Sequence, residues 1–205
     1  MSTTEITAAD VKALRERTGA AMMDCKSALS EAGGDAEKAV ELLRVKGQAS
    51  AEKRSGRSTS EGVISSYVHA TGKIGVLVEV QCETDFVARN DDFRDFAREI
   101  ALHVAASAPR YVSADEVPAD EEAAERQVFE RKAVEEGKPE NVRERIVEGQ
   151  LAKWRKEIAL LDQVHVNADK HESKTIETLR AEAAARTGEN IRIARFARFE
   201  VGAED

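Results

Sequence analysis

Apolar positions in the first part of the chain recur at helical spacing in three short bursts. Val11 and Leu14 form a stripe that opens behind Thr7 and Asp10, a pair with the form of a capping box, and closes at Gly19. A second burst runs from about Met23 to Ala32 and stops at Gly33-Gly34, after which Asp35 caps a third carrying Val40, Leu42, Leu43 and Val45. Residues 7–46 therefore predict a compact three-helix module with a small core of its own. From Gly47 to Gly62 the periodicity lapses into small and polar residues, which predicts a linker, its first residues open to helix or coil.

Beyond Gly62 the pattern turns to strands. Val63 to His69 and Ile74 to Cys82 flank Ala70-Thr71-Gly72-Lys73 and predict a hairpin. Phe93, Phe96, Ile100 and Val104 return to helical spacing over Asp91 to Ala106. Ala119 to Gly137 and Glu140 to Ala159 predict an antiparallel helical hairpin around Gly137-Lys138-Pro139, with Val128, Val134, Ile146, Leu151, Trp154 and Ile158 as its seam. An extended Val164 to Asn167, a helix over Ser173 to Thr187 and a strand over Ile191 to Val201 close the chain. That strand sets Ile191, Ile193, Phe196 and Phe199 against Arg192, Arg195 and Arg198, so its arginines fit a solvated face. The fold class is α+β: a helical module at residues 1–46, a linker at 47–62, and a sheet-plus-helix core at 63–205 with the hairpin at about 119–159 inserted.

Composition narrows this picture. Only 4% of residues are aromatic, so the core rests on Ala, Val, Leu and Ile, which favours helices over a large sandwich. The net charge of −8 opposes direct nucleic-acid binding. Residues 1–60 hold 10 basic and 9 acidic side chains, leaving 21 against 30 for the remainder, so the acidity belongs to the second part. Cys25 and Cys82 stand far apart with no CxxC pair, which argues against a disulfide framework or a zinc site. The opening Met1 to Glu5 has no signal-like region and no run reaches membrane-spanning length, so the expected compartment is a reducing cytoplasm.

The most telling segment is Cys82-Glu83-Thr84-Asp85-Phe86-Val87-Ala88-Arg89-Asn90, where the strand pattern ends and Asn90-Asp91-Asp92 starts a helix. Phe86 thus lies on a short strand-to-helix connection that can present its ring outward, although such a phenylalanine also commonly closes a core. Thr84-Asp85-Phe86-Val87-Ala88-Arg89-Asn90 resembles bacterial translation elongation factor Ts, the nucleotide exchange factor of elongation factor Tu. The resemblance extends to Val11 through Lys26, with Ala21 where the family usually has Gly, to Ile100 through Ser107, and to Arg195 through Gly202.

This resemblance implies an amino-terminal bundle of the ubiquitin-associated type in which Arg15, Met22, Met23 and Lys26 face the partner's GTPase domain. Read locally, one of the two methionines belongs equally well to the core. It also implies that Thr84, Asp85, Phe86 and Val87 dislodge Mg²⁺ from the partner, and that Ile74, Gly75 and His103 touch it from a second subunit, although residues of these kinds are more often core or turn. Long family members carry two related core halves, whereas this chain has one. The resemblance therefore implies a homodimer; the hairpin at about 119–159 is open to two readings, a solvated spacer or a second contact with a distal domain of elongation factor Tu, and no cofactor is expected.

Two rival functions follow from the same residues. The amino-terminal bundle alone could serve as a helix-binding module indifferent to Phe86. An enzyme would need Cys82 with Glu83, Asp85 or His69, but Asp91 and Asp92 already suit a helix amino terminus, Cys82 has no closely spaced thiol partner, and none of His69, His103, His165 and His171 has a nucleophile at a meaningful spacing.

Overall fold

The computed structural model describes residues Ile6 to Ala203; the signal-region reading of Met1 to Glu5 lies outside them. Three helices come first: α1 (Ala8–Thr18), α2 (Met22–Glu31) and α3 (Ala36–Arg54). The expected caps are present. Thr7 and Asp10 form a reciprocal capping box, Gly19 ends α1 at φ 68°, and Asp35 accepts the N–H groups of Glu37 and Lys38. Val11, Leu14, Cys25, Ala28, Leu29 and Ala39 make the core of this bundle.

The first residues of the predicted linker take the helical alternative, α3 continuing to Arg54. Gln48 to Arg54 is rich in strong helix formers, and Ala51 is buried. Gly47 breaks nothing: a Cβ there would stand 3.3 Å from the Ala185 methyl, so the glycine lets two backbones approach.

The hairpin follows as β1 (Glu61–Val68) and β2 (Ile74–Cys82), closed by His69 N–H on the Ile74 carbonyl at 2.9 Å. A one-turn helix α4 (Asp85–Ala88) leads into α5 (Asp91–Ser107), whose Phe93, Phe96, Ala97, Ile100, Ala101 and Val104 are buried. Then come α6 (Ala119–Glu135), α7 (Glu140–Ile158), α8 (Ile176–Thr187) and β3 (Arg192–Glu200). The three strands form one antiparallel sheet in the order β1-β2-β3, which makes the architecture mixed α and β. Among the described residues no helix is long and apolar enough to cross a membrane.

Two expectations of register are corrected. In the helical hairpin, Val128 and Val134 face solvent, and the seam is Ala133, Val147, Leu151 and Ile158. The charged pairs Arg155 with Glu122 and Arg126 with Glu148 span α6 and α7. On β3, residues three apart point to opposite faces, so Phe196 is half-buried while Phe199 is 68% exposed. Arg198 shares the inner face with Phe196 and donates to the Ala105 carbonyl from Nε and Nη2.

The chain divides into two compact units. One comprises the chain up to Val63 with Val80–Phe96 and Thr178–Arg192; the other comprises Ile64–Glu79, Ala97–Glu177 and the chain from Ile193 onward.

Candidate functional site

Strand β2 ends at Cys82, whose buried thiol donates to the Thr84 carbonyl. Burial first, and then the Glu189 carboxylate, push its pKa up to about 11, so it stays a protonated thiol near neutral pH. Thr84 then leaves the strand with extended backbone and caps α4, its Oγ1 accepting the Val87 N–H at 3.4 Å. Within this single turn Ala88 points inward, Val87 is half-buried and Asp85 pairs with Arg89 at 2.9 Å. Phe86 points out and is 80% exposed. Asn90 Oδ1 accepts the Asp92 N–H at 2.8 Å and starts α5, as the sequence predicts.

Behind the turn stands a group that the sequence did not reveal. Glu189 Oε2 accepts the N–H groups of Glu83 and Thr84 at 2.9 and 3.1 Å, and its Oε1 accepts the Thr84 hydroxyl at 2.6 Å. Glu83 Oε1 in turn accepts the Asn190 N–H at 2.6 Å. The buried Asn190 amide donates to the carbonyls of Ser55 and Arg57. A glutamate after a glycine in an α-to-β turn carries no mark linking it to a segment 105 residues earlier.

The other residues singled out from sequence are distributed over both units. In the unit that holds Phe86, Arg15 is exposed on α1, and Met22, Met23 and Lys26 are exposed at the start of α2. Neither methionine is core, because the buried face of α2 is Cys25, Ala28 and Leu29.

In the other unit, Ile74 lines a cleft of about 490 Å³ with Tyr67, Leu102, Ala105, Val166 and Arg198. Gly75 follows Ile74 on β2 with open space where a Cβ would stand. His103 is fully buried. Its Nδ1 accepts the Val166 N–H at 3.0 Å and its Nε2 lies 2.8 Å from Gln163 Oε1, so both nitrogens are engaged inside this chain. Burial holds its pKa down to about 4.

Glu99, His165 and His171 bring potential metal-ligating atoms within 4.8 Å of one another. Several of these atoms already bond within the chain. His165 Nδ1 accepts the Asn167 N–H at 3.1 Å, which leaves Nε2 to carry the proton toward the Glu99 carbonyl at 3.2 Å. Glu99 also holds the Lys170 ammonium at 2.5 Å and His171 at 3.2 Å. Burial would raise its pKa, but these hydrogen bonds outweigh burial and lower it. These contacts tie the cluster into the chain as a structural network.

Comparison with known proteins identifies relatives along nearly the whole chain. The sequence model of one family, Elongation factor TS, matches residues 5–203. The chain is 53% identical over 197 residues to "Elongation factor Ts" of Acetivibrio thermocellus, covering 96% of this chain and 90% of that one. It is 54% identical over 200 residues to "Elongation factor Ts" of Nitratidesulfovibrio vulgaris, covering 98% of each. Against the protein of that name from Geobacter metallireducens it is 54% identical over 197 residues, covering 96% of this chain and 90% of that one.

Proposed function

This chain belongs to the elongation factor Ts family, and from that premise we propose that it promotes guanine nucleotide exchange on elongation factor Tu, with Phe86 as the wedge. The single observation that carries the reading is the 80% exposure of that ring on a braced one-turn helix. Burying a phenylalanine is worth about 1.5–3 kcal/mol, which is enough to hold an alternative packing of the partner's nucleotide site. Asp85, Phe86 and Val87, led by Thr84, enter beside the Mg²⁺ that bridges the partner's phosphates; once the metal is displaced, a P-loop loses much of its grip on GDP. The coupling is reciprocal, so incoming GTP and its Mg²⁺ dissolve the complex. No covalent step falls to this chain.

The three-helix module, which we read as ubiquitin-associated-like, supplies the second contact. Its exposed Met22 and Met23 beside Lys26, with Arg15 on α1, suit an adaptable patch for the GTPase domain. Ile74 borders a mainly apolar cleft suited to a helix of the partner, Gly75 follows it on the strand with its own side open, and the enclosed His103 supports the loop at Val166 instead of contacting the partner.

A homodimer completes the reading, because Ile64, Val68, Leu77 and Phe199 are exposed on alternate positions of the three strands and a second copy would cover them. The setting is the cytoplasm, with no cofactor and no nucleic acid bound directly.

The test is the release of a fluorescent GDP from elongation factor Tu at fixed Mg²⁺. The intact chain accelerates release and Phe86→Ala loses most of that acceleration while staying folded. Indifference to Phe86→Ala, combined with loss of binding on Met23→Ser, would support the helix-binding module instead.

A further inference from the structure

The Phe86 ring is too exposed to be oriented by packing, so its direction depends on the backbone of α4. Four residues are too few to hold a helical turn unaided. That turn is held at its start, where three donors from Glu83 and Thr84 converge on the Glu189 carboxylate. Hydrogen bonds to an ionised group are roughly twice as strong as neutral ones. The carboxylate is itself braced. Gly188 takes φ 75° to turn the chain out of α8, and Asn190 fastens the next position to Glu83 and to the chain leaving α3.

Resting on the exchange reading above, we infer that Glu189 is the positioning residue of the Phe86 wedge. It acts through Thr84, fixing the direction in which the ring leaves the surface, without itself reaching the partner's nucleotide. Thr84 transmits this because its hydroxyl is used twice, donating to Glu189 and accepting from Val87. Without the carboxylate, the hydroxyl and two N–H groups face water, and α4 samples orientations in which the ring no longer meets its site.

The full chain carrying Glu189→Ala or Glu189→Gln tests this, with Phe86→Ala run beside it in the GDP-release assay. Glutamine preserves size and helps folding, but offers one acceptor oxygen where the site uses two. A misplaced group typically loses rate more than affinity, so the release rate at saturating factor should fall roughly tenfold, with the half-saturating concentration changing less than about threefold. Hydrogen exchange at the Glu83 and Thr84 amides should accelerate in both variants while the circular dichroism spectrum is retained. A purely structural role predicts instead a lower melting temperature with an unchanged saturating rate.

Full exchange by a folded Glu189→Gln chain whose Glu83 and Thr84 amides have lost protection, with Phe86→Ala impaired, would overturn the positioning role alone. Full exchange by Phe86→Ala as well would remove the reading on which it rests.

Discussion

His103 Nδ1 accepts the backbone N–H of Val166 at 3.0 Å, and that contact fixes the tautomer of a fully enclosed imidazole. The opposite nitrogen must then carry the proton and donate to Gln163 Oε1. Stacked beside it at 5.3 Å, His165 repeats the pattern one residue further on, accepting the Asn167 N–H. Consecutive amides of one loop thus hang on two neutral histidines.

Acid should release this loop. The His103 pKa is held down to about 4 from an ordinary 6.5, first by burial and also by His165, while His165 is itself lowered by burial. An unfolded chain takes up these protons first. The stabilisation is therefore complete above pH 6.5 and lost progressively as pH falls toward 4, a change of up to about 3 kcal/mol for His103. Urea unfolding between pH 7 and 4.5, with imidazole shifts followed by NMR, measures it; a His103 that titrates near 6.5 would contradict the geometry.

A second prediction concerns Gly62, where β1 lies against β2. A Cβ there would stand 2.3 Å from the Val80 carbonyl oxygen and 2.8 Å from the Gln81 Cα, and the φ of 154° disfavours a side chain. Both obstacles are backbone and cannot rotate away. Gly62→Ala should cost about 1–3 kcal/mol, seen as a lower urea midpoint at unchanged slope. Gly75→Ala, which meets nothing within 4 Å, should stay within about 0.5 kcal/mol of the parent.

What sequence reasoning captured and what it missed differ by range. The caps at Thr7, Gly19 and Asp35 were legible because each is made by residues within a few positions. The outward Phe86 was only one of two local readings, because a phenylalanine at a strand end more often closes a core, and the family resemblance was what favoured it. Whether the chain stays helical past Gly47 was left open, because what the glycine answers to is Ala185, far along the chain. The hairpin seam slipped because apolar residues were credited over Ala133, which packs by being small. Glu189 was invisible for the same reason, its meaning residing entirely in Glu83 and Thr84.

The outer face of the sheet gives a third prediction. Leu77 on the central strand is 48% exposed between strands that present Ile64 and Phe199, and the ion pair of Arg195 with Glu79 on the same face joins β2 to β3 at 2.7 Å. A charge at the middle of an apolar self-contact must be desolvated twice in a symmetric pair. Leu77→Lys should turn a dimer into a monomer in sedimentation velocity without lowering the melting temperature of the monomer. Sedimentation of the unaltered chain as a monomer at roughly tens of micromolar, where even a weak dimer would be populated, would remove the dimer from the reading.

The last prediction separates two phenylalanines one element apart. Phe93 is 1% exposed in the face that α5 turns inward, whereas Phe86 is 80% exposed on α4. Truncating the first deletes buried surface and leaves a cavity, at a cost of about 3–5 kcal/mol. Truncating the second removes a ring that already lies in water and should leave stability within about 0.5 kcal/mol. Paired melting and GDP-release measurements should therefore show opposite profiles. Phe93→Ala loses melting temperature, with exchange falling only as the folded fraction falls, while Phe86→Ala keeps its melting temperature and loses exchange at full folding. Equal melting losses in the two variants would mean that the Phe86 ring packs within the chain in solution, and the wedge would have to be sought elsewhere.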